Sequence, residues 1–323
     1  MANKFDTRWD ALGSDPLRAV FQLYDADHLM DFYLGKDADN FRLLLLVTPE
    51  IPPTIRDMRA IRIRSFKRDD GKWSLLLTLE NMALAPMFSM LCEDLIESSR
   101  STGFPADKSL SYVLKRLGNW RRLLEHGMPD MLNESEIRGL CGELLFLQHL
   151  SFDIGKSNAV KAWVGPQKAN QDFQIPESAW EIKTIRPDAN RVTISSESQL
   201  QTNTRVIHLV VYELADSAID AVGAFTLATL VEEIRALLAE DYDSSERFEA
   251  NLATADYISR VEYGALTLIK KSMSMFVVGD GFPCITGAIL PQGVSHVVYD
   301  ICLSECEKHR IDTTSFAEKK DHP

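Results

Sequence analysis

Three residues near the middle of this chain have the types and spacing to run hydrolytic chemistry: Asp172, Glu181 and Lys183. They fall on a stretch that predicts a β-hairpin. One arm is Gln171-Asp172-Phe173-Gln174-Ile175, the turn is Pro176-Glu177-Ser178, and the return arm is Ala179-Trp180-Glu181-Ile182-Lys183-Thr184-Ile185. Alternate side chains of a strand share a face. Trp180, Ile182 and Thr184 therefore point one way, with Glu181 and Lys183 opposite. On the first arm Phe173 and Ile175 share a face, and Asp172 falls on the other with Gln174. Folding about so short a turn brings Asp172 roughly level with Glu181 and Lys183, so two carboxylates and an ammonium group converge.

Magnesium and similar hard cations take oxygen ligands, often only one or two of them carboxylates, and keep waters for the rest. An ion held in this way polarises a phosphoryl oxygen and acidifies a bound water, while a nearby ammonium offsets developing negative charge. The set suits phosphodiester hydrolysis. Glu181 and Lys183 also have a plainer reading, as a same-face ion pair on a solvated strand, worth little.

The hairpin must be positioned by something, and the preceding segment predicts a helix. Asn133, followed three residues later by Glu136, makes a capping-box start. Ile137, Leu140, Leu144, Leu147 and Leu150 recur at helical spacing as a buried stripe. Glu143 is embedded at the edge of that stripe, where an ionised carboxylate is costly unless paired or bound to metal. Gly139 and Gly142 weaken the helix, which is compensated if a strand or ligand approaches closely on that side. A Glu capturing a backbone or Arg partner at a helix–sheet junction is the alternative.

Taken together, Gly-Leu-Cys-Gly-Glu-Leu-Leu-Phe-Leu (139–147), Ala-Trp-Val-Gly-Pro (162–166), Asp172-Phe173, Glu181-Ile182-Lys183-Thr184 and Ile-Ser-Ser-Glu-Ser-Gln-Leu (194–200) occur in that order. This pattern resembles the PD-(D/E)xK motif family, a bacterial branch of the restriction-endonuclease-like nucleases often encoded near restriction or phage-defence genes. The resemblance is sharpest over 133–212. It implies a core of helix, mixed central sheet and helix, with Asp172 and Glu181 as metal ligands and Lys183 as the catalytic lysine. Glu143 is then the helix carboxylate that many such nucleases add, and Gln199 a site-lining glutamine at the start of the following helix. The implied cofactor is Mg2+, with Mn2+ able to substitute. One departure stands out: the residue before Asp172 is Gln171 rather than Pro, at a position that varies widely in the superfamily.

The remainder of the chain reads as an ordinary soluble protein of 323 residues, enough for one large domain or two smaller ones. No apolar run is long enough to span a bilayer, and Met1-Ala2-Asn3-Lys4-Phe5-Asp6 lacks the apolar stretch of a signal peptide. Five scattered cysteines read as buried free thiols of a reducing cytoplasm. Cys302, Cys306 and His309 have a zinc-like spacing but no fourth ligand in range. A net charge of −12 argues against nonspecific coating of nucleic acid, so a nuclease would need a locally basic cleft. Lys115, Arg116, Arg121 and Arg122 around Trp120 are one candidate, and Lys183, Arg186 and Arg191 another. A solvated helix or loop face is the plainer reading of each, and for the first cluster the two readings weigh equally.

The chain order predicts a short helix at 15–24, loop at 25–40, strands at 41–48, 60–66 and 73–80, the last two as a hairpin, and a helix at 82–99. A linker rich in Ser, Gly and Pro at 99–106 and a helix at 108–125 follow. After the hairpin come a strand (192–196), a short helix (197–202) and a strongly apolar strand (206–214) in which His208 reads as a core histidine. Helices at 227–238 and 244–254, strands at 257–268, 272–279 and 294–303, and a charged, disordered tail at 317–323 complete it. The predicted organisation is an α/β protein: a β-rich accessory region over 1–104, and a restriction-endonuclease-like domain with an α+β extension over 105–316. Phosphate-binding, zinc-protease, serine-hydrolase and dinucleotide fingerprints are absent. The sequence thus points to a metal-dependent endonuclease acting on DNA, with RNA a possible substrate. Other defence proteins are possible partners, and cutting both strands would favour a homodimer or two successive nicks. The rivals are a nuclease fold that binds DNA or a protein without cutting, and a metal-free structural protein in which these charges are ion pairs.

Overall fold

The computed structural model describes residues 4–100, 109–125, 132–201, 205–257 and 266–312. The chain divides into two compact units, 1–130 and 131–323. Both mix helices and sheets.

In the first unit a five-stranded antiparallel sheet is built from β1 (Val20–Leu23), β2 (Asp31–Lys36), β3 (Arg42–Thr48), β4 (Ile61–Lys67) and β5 (Trp73–Leu79), in the order β1-β2-β3-β5-β4. The continuous apolar run of β3 puts it at the centre, buried along its whole length. On edge strand β4 the alternation is visible, with Ile61 and Ile63 buried and Arg62 and Arg64 exposed. Helices α1 (Lys4–Ala11), α2 (Ala85–Ser98) and α3 (Ser109–Glu125) complete the unit. The helix expected at 15–24 does not form. Asp15 accepts from Leu17 N and bridges Arg18, and the residues beyond pair as β1 along β2, itself a strand inside the expected loop. These edge elements are weakly periodic, and pairing with a strong neighbour decides them.

The first compact unit runs to residue 130 and so includes α3, which is tied to α2 through buried Asp94. That carboxylate accepts from Arg116 Nε at 2.7 Å and from Trp120 Nε1 at 2.8 Å. The first basic cluster is therefore partly structural, since Arg116 and Trp120 are buried on Asp94. The linker at 101–106 and the tail at 317–323 lie outside the described residues.

The second unit opens with α4 (Glu134–Ile154) and α5 (Lys156–Ala162). Its main sheet contains β6 (Phe173–Gln174), β7 (Ser178–Ile185), β9 (Val206–Asp216), β10 (Ala224–Phe225) and β11 (Leu268–Val278), in the order β10-β11-β9-β7-β6. β13 (Arg310–Ile311) pairs with β11. The sheet is mixed, since β7 and β9 run parallel and the other pairs antiparallel. β8 (Arg191–Ile194) and β12 (Tyr299–Cys302) form a separate two-stranded sheet. Of the strand expected at 294–303, only β12 has formed. The strand expected at 257–268 falls largely outside the described residues.

β9 is buried on both sides, as its unbroken apolar run requires. Val210, Tyr212 and Leu214 face a core shared with α4, α5, α6 (Leu227–Leu238) and α7 (Tyr242–Thr254). Ile207, Leu209 and Val211 face a smaller core with Val192, Ile194 and Ile301. His208 stacks on Trp180, ring centres 5.6 Å apart, as a core residue. Among the described residues no helix is long and apolar enough to cross a membrane.

Candidate active site

The β6–β7 hairpin forms, and its pairing sets a register that the length of the turn left open by a residue or two. Phe173 pairs with Trp180 and Gln174 with Ala179, so one step outward Asp172 stands opposite Glu181. Phe173, Trp180 and Ile182 enter the larger core, whereas Ala179, and with it Glu181 and Lys183, faces the other side. Asp172 does not float at the hairpin edge. Its Oδ2 accepts from Ile182 N at 2.8 Å, and its carbonyl accepts from the N–H groups of Val164 and Gly165 at 2.8 and 2.9 Å. The segment that ends α5 is thus stitched to the strand that carries the acid.

Helix α4 delivers the third carboxylate. The capping box forms in full: Asn133 Oδ1 accepts from Ser135 N and Glu136 N, and Glu136 Oε2 accepts from Asn133 N. The helix approaches β7 at Gly142, where a Cβ would lie 2.5 Å from Thr184 Cγ2. Only glycine permits that contact, which answers half of the expectation for the two glycines. At Gly139 a Cβ would meet nothing within 4 Å; this residue lines a recess of about 320 Å3 that also includes Glu143, Gly165 and Pro166. Trp163 Nε1 donates to Glu143 Oε2 at 2.7 Å. Asn251 Nδ2 donates in turn to the Trp163 carbonyl at 2.8 Å, and Gln167 Nε2 to Asn251 Oδ1 at 2.5 Å.

The acids meet around a small gap. A Cβ at Gly165 would lie 2.8 Å from Asp172 Oδ1 and 3.1 Å from Glu143 Oε2. Both oxygens therefore face one point that any larger residue would fill. Glu181 is buried at 1 % exposure. Its Oε1 holds Lys183 Nζ at 2.8 Å, while Oε2 is buried without a hydrogen-bond partner. Gln199 closes the other side of the lysine, with Oε1 3.4 Å from Nζ and accepting from Ser195 N at 2.7 Å. It does so from a turn, not from the helix expected at 197–202. All five residues singled out by sequence are brought together. Of the second basic cluster only Lys183 belongs to the site; Arg186 pairs with Glu134 and Asp216, and Arg191 is exposed at the start of β8.

One cation among three acids leaves the charge uncompensated. Burial, followed by the negative charge of Asp172, pushes the Glu143 carboxyl up to about 8, against the pull of the Trp163 N–H and Lys183. Burial pushes Asp172 up to about 6, although Ile182 N–H and Lys183 favour its ionised form. Glu181 is raised as well, and the lysine beside it does not outweigh its burial. Raised carboxyls of this kind are what a missing positive charge would correct.

The donor set fits a hard divalent cation: carboxylate oxygens only, one of them buried and unpartnered, and a gap kept open by glycine. Among the described residues no group of three or more His, Cys, Asp or Glu side chains is placed to hold a metal ion, so an ion here would take fewer protein ligands. A closed cage suits a structural ion, whereas magnesium keeps several waters.

Sequence reading left Trp163, Gly165 and Asn251 without roles. Trp163 and Gly165 stand in the Ala-Trp-Val-Gly-Pro stretch, but no local spacing says that an indole will reach a carboxylate on another helix. Asn251 carries no local signal at all.

A mixed α/β fold with clustered carboxylates and a lysine on adjacent strands defines a nuclease-like class of protein. Residues 5–304 match the family model described as "Putative PD-(D/E)XK family member", and the chain belongs to that family. No curated protein matches the chain, and no solved structure does.

Proposed function

We infer that the chain is a metal-dependent endonuclease that hydrolyses DNA phosphodiester bonds, on a restriction-endonuclease-like core formed by α4, the β6–β7–β9–β11 sheet and the helices behind it. One observation carries this reading: Asp172 and Glu181 face each other across the hairpin while Glu143 converges from α4, with Lys183 Nζ 2.8 Å from Glu181 Oε1. Asp172 and Glu181 would hold Mg2+ or Mn2+, with Glu143 completing or supporting the ligand set. Bound there, the ion would supply Lewis acidity and a more acidic water.

The chain's own residues do the rest. The Ile182 N–H fixes the Asp172 carboxylate, and the Trp163 N–H fixes that of Glu143. Lys183, held between Glu181 and Gln199, presents an ammonium that orients the attacking water and offsets charge on the phosphate as its phosphorus becomes pentacoordinate. Burial keeps these interactions strong by excluding competing solvent. Family membership supports the nuclease chemistry, and the bacterial restriction or phage-defence setting rests on the same likeness.

The test is cleavage of methylated and unmethylated plasmid DNA with Mg2+ or Mn2+, beside Lys183→Ala protein. Cutting by the wild type alone is expected. Cutting by both would assign the activity to a contaminant or another site. The direct Lys183–Glu181 ion pair favours a second reading, a nuclease fold that binds DNA or a partner without cutting. No cutting by either protein, with calorimetric metal binding abolished by Glu181→Ala, would support it.

A further inference from the structure

Next to the carboxylates lies a separate recess of about 280 Å3, walled by Asn170, Gln171, Gln174, Gln201 and Arg205 over a floor of Ala179 and Ile207. Small-molecule recesses are usually lined by apolar side chains with a few polar groups; here the proportion is reversed. The polar groups are also ordered. Gln171, 7 % exposed, donates through Nε2 to the carbonyls of Ser198 and Gln199, each at 3.1 Å. Gln174 Nε2 donates to Gln171 Oε1 at 3.1 Å, and Arg205 Nη1 to Gln174 Oε1 at 3.2 Å. This relay fixes which way each glutamine amide points and sets the guanidinium at the rim.

The lining selects a class of ligand. Four amides and one cation are a poor trap for a free anion, which calls for several positive charges. They are well matched to a planar group that carries donors and acceptors along one edge. Arginine reads the paired acceptors of guanine, and asparagine or glutamine the adjacent donor and acceptor of adenine. The recess also adjoins the reactive centre through one peptide bond and one hydrogen bond, both made by Gln171. Gln171 directly precedes Asp172, and its amide holds the backbone of Gln199, whose side chain faces Lys183.

We propose that this recess is a nucleobase site, which takes one base of the substrate beside the phosphate acted on, with Arg205 favouring the acceptor edge of guanine. The glutamine that replaces proline before Asp172 is then part of how the enzyme selects its substrate. A base seated there is out of the helical stack, so the strand is single or locally opened at that point. The proposal rests on the nuclease reading above.

Binding is measured on the full chain in EDTA, so that cutting does not interfere. The probes are a short fluorescent single strand and an abasic strand with the same number of phosphates. The wild type is expected to bind the abasic strand roughly tenfold more weakly, and Gln174→Ala/Arg205→Ala protein to bind the two alike. Equal binding of both strands by the wild type overturns the base site and leaves the nuclease reading standing, and needs no variant to fold. A preference undiminished in the double variant, at unchanged melting temperature, overturns it as well. If neither strand is bound, the base site fails, and the plasmid assay decides whether the nuclease reading fails with it.

Discussion

Two places in the molecule bury charge in opposite ways, the ion pairs of α1–α3 in the first unit and the carboxylate cluster of the second. In the first, Asp94 sits 8 % exposed between α2 and α3, and its oxygens are taken by Arg116 and the Trp120 indole. Arg42, buried beneath α1 and α2, is matched by Asp6, by Ser89 Oγ at 2.7 Å and by the face of Trp9. His28 has a backbone carbonyl within hydrogen-bond distance of each ring nitrogen. These are closed networks, the form in which buried charge is compatible with stability. In the second unit three carboxylates share one lysine, two of them are raised to about 8 and about 6, and one oxygen is buried with no partner. The contrast is the one expected if the second place takes up the metal ion proposed for it.

The sharpest way to break this comparison is to remove one acid from each unit. Asp94→Ala takes from Arg116 and the Trp120 indole the buried carboxylate they donate to, and should cost about 3–5 kcal/mol in denaturant unfolding. Glu181→Gln keeps the shape and removes a charge that burial disfavours, so its melting temperature should stay level or rise. Comparable losses in both variants would erase the distinction.

Acidity should separate the units further. A folded carboxyl raised above its unfolded value keeps a proton that the unfolded chain has released. Its contribution is therefore complete below the unfolded value and is lost as pH rises through the folded one. For Glu143 and Asp172 that window runs from the ordinary carboxylate range up to about 8. In EDTA, stability should fall across it, and Mg2+ should flatten the slope. A slope unaffected by Mg2+ would argue against ion binding at these acids.

Trp163→Phe keeps an aromatic ring in the core and deletes the N–H that holds Glu143. Residues that orient a metal ligand typically cost about 10–100-fold in activity or metal affinity. A drop in that range at unchanged melting temperature would show the indole to be a positioning residue. The smallest effects come from the two α4 glycines. Gly142→Ala must push against Thr184 and should destabilise by about 1–3 kcal/mol. Gly139→Ala meets nothing and should stabilise by about 0.5–1 kcal/mol. Equal effects of the two would mean that α4 does not approach β7 as described.

By itself the sequence determined whatever depends on neighbours along the chain. Asn133 and Glu136 cap α4 within one turn. The alternation of β7 puts Glu181 and Lys183 on one face, and the short turn after β6 brings Asp172 opposite Glu181. Each follows from local geometry with a fixed period, so Asp172, Glu181, Lys183 and Glu143 could be singled out along the chain, whereas Gln199 came only from the family resemblance. The tertiary structure alone decided the matters that join distant segments. It placed α3 with the first unit through Asp94, turned the poorly periodic 15–40 into two strands by pairing β2 onto β3 and β1 onto β2, and set Gln199 in a turn. It also brought the Trp163 indole to Glu143 and the open position of Gly165 to two carboxylates. Periodicity can show that a side chain is turned inward, but only packing decides which side chain it meets there.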